Sequence, residues 1–152
     1  MKKAILIALV MMVTAMTANA QEKKTESKVK HLTYNEFLKK VWDFEKNPTT
    51  FEYKGKLPAV IDFYADWCGP CRRVAPIMEK MAEDYEGRLL VYKVNVDEET
   101  RLAHVFNVKG LPVVYYIPAS GSSIKRQDGL PSEESLRTII EQELLDQPKQ
   151  EE

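Results

Sequence analysis

The chain has 152 residues, with 22 Lys and Arg against 23 Asp and Glu, and it contains two cysteines. A net charge of -1 offers no basic surface for a phosphate backbone, so nucleic-acid binding is not expected as its main role. Two cysteines form at most one disulfide, which excludes a disulfide-rich scaffold and a zinc site built from three or four thiolates. The apolar share of 44% is that of a globular chain, and we expect one compact domain.

The first twenty residues have the composition of a signal peptide. Lys2 and Lys3 precede an uninterrupted apolar run at 4–13, and the triplet 18–20 (ANA) has the small-x-small form of a cleavage site. The run is shorter than the ~20 residues needed to span a bilayer. We therefore expect cleavage after Ala20 and export to an oxidising compartment, the periplasm, where a close cysteine pair can form a disulfide.

The remaining chain divides into three parts. A polar, charged lead-in at 21–30 without periodicity precedes a domain at 31–146, and a frayed tail follows at 147–152. The domain opens with a capping box at Thr33, which predicts an amphipathic helix over 34–45.

Alternating strands and helices are predicted through the rest of the domain. An apolar, branched and aromatic run is typical of a buried central strand, and the later runs follow with turn and cap residues between them. The predicted strands cover 57–64, 89–96, 113–117 and 123–127. Three helices are predicted between and after them. The first covers 70–86, the second is capped by Asp97 and ends before Asn107, and the third covers 133–145 and is capped by Ser132. A parallel βαβ unit followed by an antiparallel hairpin and a last helix predicts an α/β fold with a mixed sheet between helices.

The strongest chemical signal is Trp67-Cys68-Gly69-Pro70-Cys71, between the central strand and a helix. A Cys-x-x-Cys pair in this context predicts a redox-active dithiol; half of a zinc knuckle and a structural disulfide are the alternatives. Cys68 lies where the helix N-terminus stabilises a thiolate, so it is the candidate nucleophile and Cys71, one turn inside, the resolving thiol. Gly69 permits the tight entry to the helix, and Pro70 occupies a position where no N–H is needed.

Asp62 interrupts the apolar central strand, where a carboxylate is costly unless it has a partner or a task. Burial raises the pKa of a carboxyl, so Asp62 could accept the proton of Cys71 as a general base. The alternative is a satisfied structural polar group or an outward-facing position. Lys93, on the neighbouring strand, could pair with Asp62 and tune it, or could simply extend to solvent at the strand edge.

Residues 57–140 resemble the thioredoxin family. The segment 62–72 (DFYADWCGPCR) is similar to that family's active-site signature throughout, and the further matches are Pro76, the loop Gly110-Leu111-Pro112, Gly121 and Gly129. The resemblance implies the thioredoxin fold, a cis peptide bond at Pro112, a Leu111 backbone that meets an extended substrate, and no cofactor besides the Cys68–Cys71 disulfide. Three features depart from the family's pattern: an additional N-terminal helix, the stretch 47–56, and Tyr64, which stands where many members have tryptophan.

The two tryptophans, and two arginines near the cysteine pair, also allow predictions. Trp67 is predicted to form part of an apolar recognition surface beside Cys68, whereas Trp42 is predicted to pack in the interior. Arg72 and Arg73 could hold a thiolate electrostatically, although exposed helix arginines commonly contribute nothing measurable.

The sequence thus predicts a periplasmic thiol-disulfide oxidoreductase that reduces disulfides of exported proteins. Gly-Pro between the cysteines resembles the reducing members of the family, and the resemblance implies a membrane thiol-disulfide carrier as electron donor. Three alternatives remain: a dithiol oxidase or isomerase, a reductase for cytochrome c maturation, and a binding module whose apolar surface around Trp67 and Pro112 matters more than redox cycling. We expect a monomer.

Overall fold

The computed structural model describes residues 27–146, so the predicted signal peptide at 1–20, most of the lead-in and the predicted tail at 147–152 lie outside the described residues. Within this range, ten elements follow one another. They are β1 (Lys30–His31), α1 (Tyr34–Lys40), β2 (Ala59–Tyr64), α2 (Gly69–Asp84), β3 (Leu90–Asn95), α3 (Thr100–Val105), β4 (Val113–Ile117), β5 (Lys125–Asp128), α4 (Glu133–Ile139) and a π-helical turn (Ile140–Leu145).

The five strands form one mixed sheet in the order β1-β3-β2-β4-β5. Strand β2 lies at its centre, parallel to β3 and antiparallel to β4, as the predicted βαβ unit and hairpin require. Strand β1 was not predicted, because two residues are too short to show a period. It falls at the end of the polar lead-in, and Val29 just before it is buried.

The sheet separates two apolar cores. Because side chains alternate across a strand, Val60 and Asp62 face α2 and the C-terminal helix, whereas Ile61 and Phe63 face α1 and α3. Helices therefore cover both faces, which confirms the predicted α/β architecture. Among residues 27–146, none of the helices is both long enough and apolar enough to cross a bilayer.

The first predicted helix ends early, at Lys40 instead of residue 45. The chain turns after this point, and the Trp42 indole donates to the carbonyl oxygens of Asn47, at 3.1 Å, and Thr50, at 2.9 Å, on the segment that follows. Trp42 packs against Phe44, Phe106 and Phe51 of the extra stretch 47–56, in agreement with its predicted structural role.

The extra stretch 47–56 packs onto the turn that joins β4 and β5. Tyr53 lies directly against Gly121, where a Cβ would meet the Tyr53 Cβ at 2.8 Å. Gly121 also has a φ of 71°, which favours glycine. This contact makes the extra stretch part of the domain.

Other bounds also differ from the predictions, and α2 ends at Asp84 rather than at residue 86. Asp97 does not cap α3, whose first flanking residue is Glu99 without a side-chain cap. Strand β5 begins at Lys125, since Ser123 has a φ of 56° and cannot join a regular strand. The last helix covers 133–145 as predicted, although its final part, Ile140–Leu145, has the hydrogen-bond pattern of a π-helix.

Replacement of Phe37 tests the apolar core on the α1 side of the sheet, because this side chain is fully buried there. We expect Phe37→Ala to lower the free energy of unfolding of the oxidised protein by about 3–5 kcal/mol, through lost burial and the cavity left behind. Urea unfolding followed by circular dichroism measures this loss. Lys39→Ala, an exposed change on the same helix, should stay within about 0.5 kcal/mol, and equal losses in the two variants would contradict this account of the core.

Candidate active site

The cysteine pair lies at the N-terminus of α2, immediately after the carboxyl end of β2. Cys68 and Cys71 form a disulfide with a Cα–Cα distance of 5.3 Å, and each residue is only 4% exposed. Cys68 is the N-cap of α2, and its Sγ accepts a hydrogen bond of 3.2 Å from the backbone N–H of Cys71. A sulfur in this position gains from the free N–H groups and the positive end of the helix dipole, which favour a thiolate once the disulfide is reduced.

Helix α2 begins at Gly69, one residue before the predicted start, and Pro70 lies in its first turn, where it removes no helical hydrogen bond. The guanidinium of Arg72 donates to the carbonyl oxygen of Asp66 at 3.2 Å and thereby braces the loop that carries the cysteines.

The loop before β4 faces the disulfide. The Leu111–Pro112 peptide bond is cis, which confirms the expectation drawn from the resemblance. Leu111 packs against the small apolar cluster of Ala65, Cys68 and Cys71. The carbonyl oxygen of Pro112 accepts a 2.9 Å hydrogen bond from the N–H of Gly129, which ties the loop to the end of β5.

Trp67, next to Cys68, is 69% exposed, and its indole N–H donates to Asp97 Oδ2 at 2.8 Å. The bond orients the ring of Trp67 and gives Asp97 a structural role, whereas the sequence suggested Asp97 only as a helix cap. The carboxyl ends of parallel strands meet at one edge of a sheet, so the positions of Trp67 after β2 and Asp97 after β3 could have indicated this contact.

Leu130 is a second exposed apolar side chain near the site, and it was not among the residues predicted from the sequence. It is 41% exposed and follows Gly129, which is bonded to Pro112. Nothing in its local sequence distinguishes it from a loop leucine, because only the β5–Pro112 contact brings it here.

Asp62 lies on the α2 side of β2, behind the disulfide. It is 4% exposed, and within the described part of the chain its Oδ1 has no hydrogen-bond partner. Burial raises the pKa of Asp62 from its ordinary 3.8 to about 7, and the positive charge of Lys93 acts in the opposite direction. The carboxyl can therefore exchange a proton near neutral pH.

A small cavity of about 50 Å³ joins Asp62 to Cys71. Its lining residues come from β2, β3, α2 and the segment before β1: Val29, Asp62, Tyr64, Cys71, Ala75, Met78, Glu79 and Lys93. The cavity exceeds the ~10–15 Å³ that one water molecule requires, so it has room to connect the carboxyl and the thiol by a bridging water.

Lys93 neighbours Asp62 in the β2–β3 register, so both side chains lie on the same face. Among the ion pairs of residues 27–146 there is none between them. The Lys93 ammonium instead lies 5.7 Å from the ring centroid of Tyr64. Lys93 thus acts on Asp62 through its field, without a direct contact.

The described range 27–146 contains no group of three or more His, Cys, Asp or Glu side chains arranged to hold a metal ion. The chemistry that the site itself displays is that of the disulfide and the carboxyl behind it.

Comparison with known proteins agrees with this geometry. The thioredoxin family model matches residues 28–142. A thioredoxin of Borreliella burgdorferi is 39% identical over 109 residues, which are 72% of this chain and 92% of that protein. The thioredoxin-like protein CITRX of Solanum lycopersicum, a chloroplastic protein, is 42% identical over 89 residues, and the chain spans about half (51%) of its length.

A solved structure shows the same fold. The crystal structure of chloroplastic thioredoxin z superposes with a TM-score of 0.62 at 28% sequence identity, covering 76% of this chain and 93% of that one. Together with the Cys68–Cys71 disulfide at the head of α2, these matches establish that the chain belongs to the thioredoxin family and is a thioredoxin-type disulfide oxidoreductase.

Proposed function

We propose that this protein reduces disulfide bonds of exported proteins in the periplasm by dithiol–disulfide exchange. One observation carries the proposal: a disulfide at a helix N-terminus has a buried carboxyl, Asp62, behind it across a cavity that also reaches Cys71. The arrangement provides a nucleophile, a resolving thiol and a proton acceptor within one site.

The first step uses the reduced form of the protein. The Cys68 thiolate attacks one sulfur of the substrate disulfide, so a Cys68–substrate disulfide forms and the other substrate sulfur leaves as a thiolate that takes a proton from water. The N-terminus of α2 and the Cys71 N–H favour the attacking thiolate.

The second step releases the substrate. Asp62, ionised, accepts the proton of the Cys71 thiol through the cavity, and the Cys71 sulfur then attacks Cys68 Sγ. The bond between Cys68 and the substrate breaks, the second substrate thiolate leaves, and the intramolecular disulfide forms. Two electrons have passed from the dithiol to the substrate.

The substrate meets an apolar rim at this site. Trp67 and Leu130 are exposed beside Cys68 and Pro112 respectively, and the backbone of Leu111 borders the disulfide. Backbone pairing with an extended segment plus a modest apolar contact suits many different disulfide substrates.

Steady reduction in an oxidising compartment requires a source of electrons. We infer a membrane thiol-disulfide carrier that reduces the Cys68–Cys71 disulfide after each turnover by the reverse of the same exchange. The protein acts as a monomer in this proposal.

The reduction potential of the Cys68/Cys71 pair decides the direction of electron flow. We expect a value near the about -270 mV of thioredoxin, measured by equilibration of the mature protein with glutathione and dithiothreitol buffers. A value more than about 100 mV less negative corresponds to about 5 kcal/mol in favour of the dithiol and would assign the protein to the oxidases. The reductase proposal would then be wrong.

Asp62→Asn tests the proton acceptor. The variant should reduce a disulfide substrate about 10²-fold or more slowly at pH 7, because no base remains for the Cys71 proton. The wild-type rate should rise with pH as Asp62 ionises near pH 7, and the variant should lack this rise. Stopped-flow reduction of a fluorescent disulfide substrate measures both, with Asp66→Asn, an exposed change on the active-site loop, as the control.

Asp62→Asn should slow the reaction but raise the stability of the folded protein. The folded-state pKa of Asp62, about 7, lies above its ordinary 3.8, so ionisation favours the unfolded chain. Stability of the wild-type protein should therefore fall as pH rises from about 4 to about 7. At pH 8 the free energy of unfolding of oxidised Asp62→Asn, measured by urea unfolding, should exceed that of the wild type by up to about 4 kcal/mol. A loss of stability at that pH would contradict the unpaired, buried carboxyl.

Export is tested by the N-terminus of the protein in the cell. Expressed in a bacterium with an outer membrane, the chain should be recovered from the periplasmic fraction with Gln21 as its first residue, as read by mass spectrometry. Ile7→Arg, which interrupts the apolar run, should leave the full-length precursor in the cytosol. Recovery of uncleaved wild-type chain from the cytosol would overturn the proposed location.

A further inference from the structure

The wall of the cavity behind the disulfide is incomplete without the chain that precedes β1. Strands β2 and β3 line one side, and α2 lines the other. Of the lining residues in the described part of the chain, Val29 alone comes from outside these three elements. It is 5% exposed and belongs to the same apolar core as Met78 of α2.

The segment Ser27–Val29, which we call the N-terminal strap, is fastened to α2 and its C-terminal turn by polar contacts. The Ser27 hydroxyl donates to Glu79 Oε1 at 2.7 Å, and Glu79 is itself a lining residue of the cavity. The Lys28 ammonium forms a 2.6 Å ion pair with Glu86. On the other side the chain continues into β1, which pairs with β3. The strap therefore spans from α2 to the sheet over the cavity.

We propose that the N-terminal strap closes this cavity against solvent, and that Val29 is a positioning residue that acts on the reaction through Asp62. The inference rests on the proposed role of Asp62 in proton transfer. Val29 supplies the part of the lining that the sheet and α2 do not supply. In this proposal it keeps solvent from reaching the carboxyl on that side. A strap held in place keeps bulk solvent away from the carboxyl and leaves room only for a bridging water, and a loosened strap admits bulk solvent to it.

The strap affects Asp62 through dehydration, because burial is the main cause of the raised pKa of this carboxyl. The other charged or titratable groups near it belong to the neighbouring elements and are unchanged when Val29 is replaced. They are Tyr64 on β2, Lys93 on β3, Cys71 and Glu79 on α2, and Tyr116 on β4, and His31 on β1 lies beside Lys93 in the strand register. In the oxidised protein Cys71 does not titrate, so the carboxyl can be followed without the thiol.

The decisive experiment is the titration of the Asp62 side-chain carboxyl by ¹³C NMR in the oxidised, mature protein. Val29→Ala should shift the midpoint to lower pH by about half a pH unit or more, since water then reaches the carboxyl. The matched control is Val91→Ala, an equally conservative change of a buried valine in the same core that does not line the cavity. Its midpoint should remain that of the wild type.

A second variant covers the possibility that Val29→Ala does not fold. Ser27→Ala removes the exposed hydroxyl that ties the strap to Glu79 and leaves the core intact. It should shift the midpoint in the same direction by a smaller amount. An unchanged midpoint in every strap variant that folds, or an equal shift in Val91→Ala, overturns the inference.

The rate measurement separates this inference from the proposed function. The pH at which the reduction rate rises should move to lower pH in Val29→Ala by the same amount as the NMR midpoint. If Asp62→Asn slows reduction while the strap variants leave the midpoint unchanged, the proton acceptor stands and the strap has no role. If the midpoint moves while Asp62→Asn reduces substrates at the wild-type rate, the strap closes the cavity but Asp62 is not the proton acceptor.

Discussion

The pairing of β2 between β3 and β4 is the constraint on which the rest of the structure depends. A strand with a neighbour on each edge and helices on each face is buried at every residue but its last, Tyr64, so a polar residue within it needs a partner or a chemical role. The same strand delivers the chain to the edge of the sheet at Tyr64, and the loop that follows leads directly into the cysteine pair. The position of the disulfide is therefore a consequence of how β2 is buried.

Asp62 is an energetically unfavourable residue in this buried strand. A buried carboxyl whose Oδ1 has no hydrogen-bond partner within residues 27–146 destabilises the folded protein at neutral pH, and a valine or isoleucine would pack better at this position. The opposite face of the sheet carries an aromatic cluster around Phe63 and Phe106, which contributes stability there. Stability supplied on one face of the sheet thus offsets a carboxyl on the other face that is placed for proton transfer.

The elements that depart from the sequence predictions lie at the periphery of the site. The strap before β1 and the stretch 47–56 each cover an apolar surface that the central strands and α2 leave open. The strap does so next to Asp62, on the side of α2, and stretch 47–56 does so on the opposite side of the sheet, through Trp42 and Tyr53. Only the strap therefore lies within reach of the chemistry.

The sequence by itself determined the features that depend on local spacing. The order of strands and helices followed from apolar periodicity, and Cys68 and Cys71, three residues apart before a helix, indicated redox chemistry. A carboxyl inside an apolar run likewise predicted the buried Asp62. Tertiary structure decided what depends on residues distant in the chain: the cavity between Asp62 and Cys71, the bond from Trp67 to Asp97, the position of Leu130, and β1. Each of these arises where separate elements meet at one edge or face of the sheet, and a periodic pattern along a single segment contains no information about such meetings.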